Sequence, residues 1–275
     1  MSNIIWLASY PRSGNIWLQA FLYNLFNDSR QVPSAVAIGD FCTPEPAAVH
    51  FLGPDSPPLG SWTREEVAAR RGVAHQAIAG LRSGDNVFAS TQAALAENSG
   101  FPSITMEHTA AAVYLVRNPL DVAVSLAAYN DQGLDEAILR MEEEYESDNT
   151  DQFAYEYQGN WSNNVMSWTQ QRHAGLHLIR YEDMISAPEN AFGPLVVFFG
   201  LDTPPERLAR AIKYSSFNEL AAMEEQCTGA GHVGEVFRAG KADQWRDVLS
   251  DQQVHRIVNR HAKQMERFGY VPNGY

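Results

Sequence analysis

The chain has 275 residues, 45% of them hydrophobic, and a formal net charge of −13 at pH 7. That acidity excludes nucleic acid as a partner, since phosphate backbones are held by clustered Lys and Arg. The longest apolar runs, such as Leu195-Val196-Val197-Phe198-Phe199, fall far short of the ~20 residues that cross a bilayer, so no membrane partner is expected.

No linker, repeat or low-complexity block divides the sequence, so one domain over residues 1–275 is expected. The N-terminus runs directly into an apolar strand instead of a secretory leader, which predicts a cytoplasmic protein. Cys42 and Cys227 read as free thiols. No Cys/His cluster has metal-ligand spacing, so no metal is expected.

Ile4-Ile5-Trp6-Leu7-Ala8-Ser9 reads as a buried strand, and Tyr10-Pro11-Arg12-Ser13-Gly14 as a short turn. A helix follows, because Leu18, Phe21, Leu22 and Leu25 fall at i, i+3, i+4 and i+7 and make one apolar stripe. A turn from a buried strand into a helix points several backbone N–H groups at one spot, and the helix dipole adds partial positive charge. Arg12 adds a fixed cation with a planar fork of donors. The segment therefore reads as a cradle for a phosphate or sulfate. It lacks the Lys and the spacing of a G-x-x-x-x-G-K-S/T loop, and the glycines of a G-x-G-x-x-G turn.

Residues 27–75 are rich in Pro and small residues and show no clear period. In a nucleotide-binding α/β fold such a stretch reads as an acceptor-site cover. Asn86-Val87-Phe88-Ala89-Ser90 reads as a core strand, and so does Ala112-Val113-Tyr114-Leu115-Val116. Arg117 then sits at a strand's carboxyl end, where open α/β sheets bind ligands. Asn118 as N-cap and Pro119 at the first helical position start a helix with Leu120, Ala123, Val124 and Ala127 at helical spacing. Ser125 lies on the side of Asp121, apart from that stripe.

Glu142-Glu143-Glu144-Tyr145-Glu146-Ser147-Asp148 begins an acidic run that continues through Asp151, Phe153, Tyr155, Glu156 and Tyr157. Two readings stay open. One is a solvated helix end and loop. The other is an acceptor wall suited to a cationic, guanidinium-bearing or aminated small molecule. Leu176-His177-Leu178-Ile179-Arg180-Tyr181 reads as a further strand. Ser186 and Glu189 form a capping-box pattern before Phe192, Leu195, Val196 and Phe199, with Gly200 ending the helix. Ser250 and Gln253 do the same before Val254, Ile257, Val258 and His261.

Tyr10-Pro11-Arg12-Ser13-Gly14-Asn15-Ile16-Trp17 resembles the 5′-phosphosulfate loop of sulfotransferases, usually Tyr-Pro-Lys-Ser-Gly-Thr-Thr-Trp. The segment from Val113 through Arg117 to Ser125 resembles the part of that family that binds the 3′-phosphate of 3′-phosphoadenosine 5′-phosphosulfate (PAPS). Arg180-Tyr181-Glu182-Asp183-Met184 and Tyr214-Ser215-Ser216-Phe217 look like its adenine contacts. Phe237-Arg238-Ala239-Gly240-Lys241 with Trp245 looks like its donor-closing loop, here within 228–245. Nearly the whole chain is similar to a soluble, small-molecule, PAPS-dependent bacterial sulfotransferase. The resemblance implies an α/β fold of the P-loop-like, three-layer α/β/α kind with a central parallel sheet. It implies PAPS as donor and 3′-phosphoadenosine 5′-phosphate (PAP) as product. Arg12 and the N–H groups of Ser13, Gly14, Asn15, Ile16 and Trp17 would hold the phosphosulfate. Arg117, Ser125 and Arg238 would hold the 3′-phosphate, with Phe237, Ala239 and Gly240 closing over it. Trp17, Tyr181 and Phe217 would flank the adenine. Arg12, Gln92 and Ser125 are the residues expected nearest the chemistry.

The sequence departs from the family where chemistry is concerned. Lys of the cradle is Arg12, which supplies charge and hydrogen bonds. The second Thr is Ile16. Ser90-Thr91-Gln92 stands where the family has Lys-Thr-His, and a Gln amide is no general base. Replacement bases stay open among His50, Asp40, Glu45, Asp55 and the carboxylates of 142–148, while His108 and His177 read as poorly placed. The expected activity is in-line sulfuryl transfer to a hydroxyl or nitrogen of a small molecule, a cationic secondary metabolite among the candidates. A non-catalytic binder of donor or product, and a nucleotide-kinase-like phosphotransferase, are the alternatives.

Overall fold

The computed structural model describes residues 3–171, 173–228 and 235–275. In chain order the strands are β1 (Ile4–Ser9), β2 (Cys42–Pro44), β3 (Val87–Thr91), β4 (Glu97–Asn98), β5 (Phe101–Pro102), β6 (Thr109–Val116) and β7 (Leu176–Arg180). The helices are α1 (Asn15–Asn27), α2 (Ala35–Phe41), α3 (Arg64–Ala79), α4 (Pro119–Asn130), α5 (Leu134–Glu142), α6 (Trp161–Thr169), α7 (Tyr181–Ser186), α8 (Pro188–Phe198), α9 (Pro205–Tyr214), α10 (Phe217–Thr228), α11 (Trp245–Val248) and α12 (Asp251–Phe268). Five strands form one sheet in the order β2-β3-β1-β6-β7, and β4 with β5 makes a small antiparallel pair. The protein is thus an α/β protein, as the motifs predict.

The pairs β1–β3 and β2–β3 are parallel. Ile4, Trp6, Leu7 and Ala8 are fully buried, as parallel strands covered on both faces require. Strand order changes direction at β1, which has β3 on one side and β6 on the other. In open α/β sheets that switch point is where ligands bind, outside the carboxyl ends of the strands. The expected strands at 4–9, 86–90, 112–116 and 176–181 are all present, within a few residues at their ends.

The chain packs as two compact units. One comprises Met1–Tyr10, Cys42–Tyr114 and Glu143–Leu178; the other comprises Pro11–Phe41, Leu115–Glu142 and Ile179–Tyr275. In the first, α3 packs on β1 and β3. Thr63 and Glu66 form a reciprocal capping box at its start. This corrects the reading of 27–75 as aperiodic. The buried face of α3 is Val67, Ala68, Arg71, Ala74, His75 and Ile78, a good helical period with two polar members. Arg71 Nη1 donates to Glu45 Oε1 at 2.7 Å and Nη2 to the Tyr155 carbonyl at 2.6 Å. His75 Nε2 lies 3.1 Å from the same Glu45 oxygen. Burial alone would raise the Glu45 carboxyl, but Arg71 and His75 outweigh it and hold it below its ordinary value. Ala48, Phe51, Leu59, Val67, Ala74, Ala154 and Tyr155 form an apolar cluster over this helix.

In the second unit the α1 stripe of Leu18, Phe21, Leu22 and Leu25 is fully buried, and Phe21 stacks on Phe192 at 3.8 Å. Asn118 Oδ1 accepts from the Leu120 N–H, and Pro119 opens α4 as expected. The Ser250/Gln253 capping box of α12 is present. The Ser186/Glu189 box is not. Residues 181–186 already form α7, so Ser186 is a last-turn residue whose hydroxyl donates to the Glu182 carbonyl. α8 starts instead at Pro188 behind an Ala187 N-cap. Cys42 is buried, Cys227 is exposed, and both are free thiols. Among the described residues no helix is long and apolar enough to cross a membrane.

The Glu45–Arg71 pair yields a stability prediction. Arg71→Met leaves a buried carboxylate short of its main cation, so unfolding free energy should fall by about 3–5 kcal/mol at pH 7. Denaturant titration measures it. Glu45 is depressed, so its contribution is present above its unfolded value near about 4.3 and fades as pH falls below that. A loss that stays undiminished at pH 3 would contradict the pairing.

Candidate functional site

One cluster of expected site residues lies wholly within the unit of residues 11–41, 115–142 and 179–275. It is built on the turn from β1 into α1. Arg12 has φ +64° and Gly14 φ +99°, so the turn places two residues in the left-handed region within three positions. Alternation of that kind curls successive N–H groups around one point. Gly14 is obligatory here for a second reason. A Cβ on it would lie 2.7 Å from Cδ2 of Tyr181. Gly14 is the N-cap of α1, which has no side-chain cap and no acidic residue in its first turn. The helix dipole is left for an outside anion.

Two buried donors point the same way. Ser13 Oγ and Arg117 Nε find no hydrogen-bond partner among the described residues. Arg117 Nη1 donates to the Arg12 carbonyl at 2.8 Å, and its guanidinium lies 4.1 Å over the Tyr181 ring. Arg12 Nε donates to Ser125 Oγ at 3.1 Å, and Nη2 donates to the carbonyls of Glu235 and Val236. Its guanidinium also sits 4.1 Å over Tyr129. Burial pulls Arg12 down to about 10, with Tyr129 opposing and Arg117 adding to the fall, so it remains a cation at neutral pH. The two Arg corners, about a hundred residues apart in sequence, are therefore one cluster. Arg12 reaches Ser125, the residue expected beside Arg117.

The expected aromatic residues also meet. Trp17 packs edge-on to Tyr181 at 5.7 Å and to Phe217 at 6.0 Å, and Phe217 to Phe237 at 5.6 Å. Trp17, Met184, Phe192, Phe217 and Gly240 line a pocket of about 230 Å³. A Cβ on Gly240 would lie 2.2 Å from the Phe217 ring, so the loop backbone closes against that ring. Arg238 goes elsewhere. Its side chain is exposed and Nη2 donates to Gln244. Residues 229–234 of the expected closing loop lie outside the described residues.

Carboxylates that the sequence reading passed over hold this cluster in shape. Asp121 accepts from the N–H groups of Asp243 and Trp245. Glu224 accepts from those of Val236 and Phe237. Glu182 accepts from the Asn118 N–H at 2.9 Å and from Tyr270 Oη at 2.7 Å, fixing the corner that carries Arg117. Tyr129 had a usable signal, since Asp121, Ser125 and Tyr129 are spaced four apart on one face of α4. Glu224 had none.

A second cluster lies within the other unit, at the carboxyl end of β3. The Gln92 N–H donates to Glu156 Oε1 at 2.9 Å, its side-chain oxygen accepts from Gln158, and its carbonyl accepts from Asn164. Thr91 Oγ1 donates to the same Glu156 oxygen at 3.0 Å. Burial and then the Glu45 charge push the Glu156 carboxyl up to about 7, against the Gln92 N–H, Arg71 and Thr91. Most of the other carboxylates considered as bases are committed or remote from any such cluster. Glu45 is held by Arg71 and His75. Glu142 takes Arg256, while Glu146 and Asp148 take Arg64. Glu144 accepts from Tyr157, Asn160 and Asn163. Asp40 and Asp55 are exposed, and His50 bonds to Thr43.

A strand–turn–helix corner with two buried donors unpartnered among the described residues thus lies in the same unit as a slot walled by Trp17 and Phe217. The profile described as "Sulfotransferase domain" matches residues 2–269. The chain belongs to this sulfotransferase family, and it is an enzyme of sulfuryl transfer. It is 22% identical over 284 residues to Sulfotransferase 1A1 of the dog, covering 96% of this chain and 83% of that one. Its fold is similar to that of mouse sulfotransferase SULT7A1 complexed with PAP, with a TM-score of 0.64, 18% identity and coverage of 98% and 90%. It is also similar to retinol dehydratase in a complex with retinol and PAP, with a TM-score of 0.66, 16% identity and coverage of 97% and 82%.

The raised Glu156 makes stability depend on pH. A carboxyl that ionises near 7 when folded and near about 4.3 when unfolded binds a proton on folding, so it weakens the fold as pH rises through that window. Glu156→Gln removes this slope. The stability of the variant relative to the native chain should therefore grow by on the order of 3 kcal/mol between pH 4 and pH 8. Urea titrations at the two pH values test it. A difference that does not change with pH would contradict a raised Glu156.

Proposed function

We propose that the chain transfers the sulfuryl group of PAPS to a hydroxyl or nitrogen of a small molecule. The observation that carries this reading is the pair of buried donors, Ser13 Oγ and Arg117 Nε, that have no partner among the described residues and lie beside the left-handed Gly14 turn. Unmet buried donors cost about 1–3 kcal/mol each, which a bound anion offsets. The residues present fit a donor with phosphate at both its 5′ and 3′ ends and a flat ring between aromatic walls.

In this reading the N–H groups of residues 13–17 and Ser13 Oγ hold the 5′-phosphosulfate. Arg12 lies between the two phosphate positions. Its charge stabilises the negative charge that gathers on the oxygen bridging sulfur and phosphorus as that bond breaks. Arg117 and Ser125 take the 3′-phosphate. Trp17, Tyr181 and Phe217 sandwich the adenine, with Phe237, Ala239 and Gly240 closing the slot. Arg238 joins the 3′-phosphate by leaving Gln244, a short side-chain rotation for an exposed residue. Bound PAPS supplies the electrophilic sulfur, and the chain supplies charge, alignment and a proton acceptor.

The acceptor is a small molecule, and a cationic metabolite in particular. Most carboxylates of the acidic run already have Arg, Asn or Tyr partners within the chain, so they add little to that preference. Glu156, bonded by a hydroxyl and an amide N–H, is the member suited to a cationic acceptor. Retinol in the dehydratase structure is a small-molecule precedent within the fold.

Two variants separate the parts of the donor site. Arg117→Ala should weaken PAP by roughly 2–4 kcal/mol and leave 5′-AMP nearly unchanged, since that ligand lacks the 3′-phosphate. Gly240→Ala, which pushes Phe217 aside, should weaken both by a similar factor, roughly tenfold or about 1.4 kcal/mol. Isothermal titration calorimetry with the two ligands gives the four numbers. Equal losses for both ligands in Arg117→Ala would contradict the 3′-phosphate assignment.

A further inference from the structure

Arg12 is gripped at its edges by groups that a phosphate would replace, and on its face by a ring that a phosphate would not. We propose that Tyr129 is the positioning residue of Arg12: its ring is the surface on which the guanidinium exchanges its neutral partners for the phosphosulfate. This rests on the sulfotransfer reading above. All the residues involved lie in the unit of residues 11–41, 115–142 and 179–275.

The sequence brings the ring there. Ser125 and Tyr129 are one turn apart on α4, and long helical side chains lean back toward the helix N-terminus. The Tyr129 ring therefore reaches toward the turn that carries Ser125. Helix α4 ends one residue later, at Asn130, with Asp131 in the left-handed region closing it. Every residue from Pro119 to Ala127 is buried, whereas Ala128, Tyr129 and Asn130 are exposed. Tyr129 keeps 37% of its surface accessible. An exposed aromatic in a last helical turn adds little to the core, so burial does not account for it. The guanidinium carbon of Arg12 lies 4.1 Å from the centre of its ring.

The contacts of Arg12 are of two kinds. Nε donates to Ser125 Oγ at 3.1 Å, and Nη2 donates to the Glu235 and Val236 carbonyls at 3.3 Å and 3.2 Å. These bonds use N–H groups that a phosphate or sulfate oxygen takes in preference, because a charged acceptor binds a guanidinium more strongly than a neutral one. The Tyr129 contact uses the face of the guanidinium. It consumes no N–H, so it persists while the fork exchanges neutral oxygens for charged ones. The main chain is anchored separately, by Arg117 Nη1 at the Arg12 carbonyl. The exchange is thus a turn of the side chain across the ring, with backbone and face both held.

Stacking also gives a reason for Arg at this position. A guanidinium is flat, delocalised and weakly hydrated and covers an aromatic face, whereas an ammonium is a compact, strongly hydrated point charge. Lys at position 12 would keep the charge but lose the flat contact that aims it. Arg12 and Tyr129 are therefore coupled. The coupling bears on kcat, because the charge on the oxygen bridging sulfur and phosphorus is largest in the transition state.

The test is a double-mutant cycle of Arg12→Lys and Tyr129→Leu, with PAPS and a panel of phenols, amines and guanidines, and with PAP affinity measured by calorimetry. Tyr129→Leu should lower kcat by roughly 3- to 30-fold, the span of a cation–π contact, and leave the PAP dissociation constant within about threefold of native. Tyr129→Phe, which keeps the ring face, should retain most of the native kcat. Arg12→Lys should cost at least about threefold less in the Tyr129→Leu background than in the native one. In the free protein the Arg12 Nε–H proton resonance should move downfield in Tyr129→Leu, as the shielding of the ring is lost, and stay in place in Tyr129→Phe. Equal Arg12→Lys losses in the two backgrounds overturn the proposal and leave the sulfotransfer reading intact. So does a Tyr129→Leu protein with native kcat. A native chain that binds PAP yet turns over no acceptor overturns both.

Discussion

The turn from β1 into α1 imposes the constraint on which the rest of the structure depends. At this turn and at the Arg117 corner beside it, buried hydrogen-bond donors find no partner among the described residues. Ser13 Oγ and Arg117 Nε are costly until an anion engages them. The backbone that presents them is held in the left-handed region at Arg12, a conformation that non-glycine residues seldom adopt. Several distant segments maintain it. Tyr181 closes on Gly14, Glu182 anchors Asn118, and Arg117 grips the Arg12 carbonyl.

Charge is arranged on the same logic. A net charge of −13 looks unsuited to a multiply anionic donor. Beyond about 8 Å, however, surface charge is screened in physiological salt, and what counts is the local set. Around the cradle that set is Arg12 and Arg117. The nearby acids are turned to structural use, with Asp121 and Glu224 accepting backbone N–H groups of the closing segment. In the other unit Glu45 pairs with Arg71 and His75, while Glu156 is bonded by the Thr91 hydroxyl and the Gln92 N–H.

Much of the fold could be read locally. The β1 strand, the α1 stripe, the Asn118–Pro119 start of α4 and the Ser250/Gln253 box are short-range patterns whose physics is contained in a few residues. The turn from β1 into α1 was equally plain, because Gly14 and the apolar stripe that follows it mark a helix start within a few residues. What could not be read depends on long-range pairing. Helix α3 was hidden because two positions of its buried face are Arg71 and His75, which look like surface residues until Glu45 is known to meet them. The Ser186 cap failed because α7 claims that residue first. Arg12 reaching Ser125 and Glu156 bonding the Gln92 N–H join residues 113 and 64 positions apart, and no local pattern encodes them.

The central claim is that Ser13 Oγ in the β1–α1 turn and Arg117 Nε at the β6–α4 corner hold the phosphates of PAPS and PAP. A crystal structure with PAP bound tests it most directly. The 5′-phosphate should lie against the N–H groups of residues 13–17 and Ser13 Oγ, the 3′-phosphate within hydrogen-bond distance of Arg117 Nε and Ser125, and the adenine between Trp17 and Phe217. PAP density elsewhere, or a bound 3′-phosphate with Arg117 Nε still unpartnered, would contradict the account.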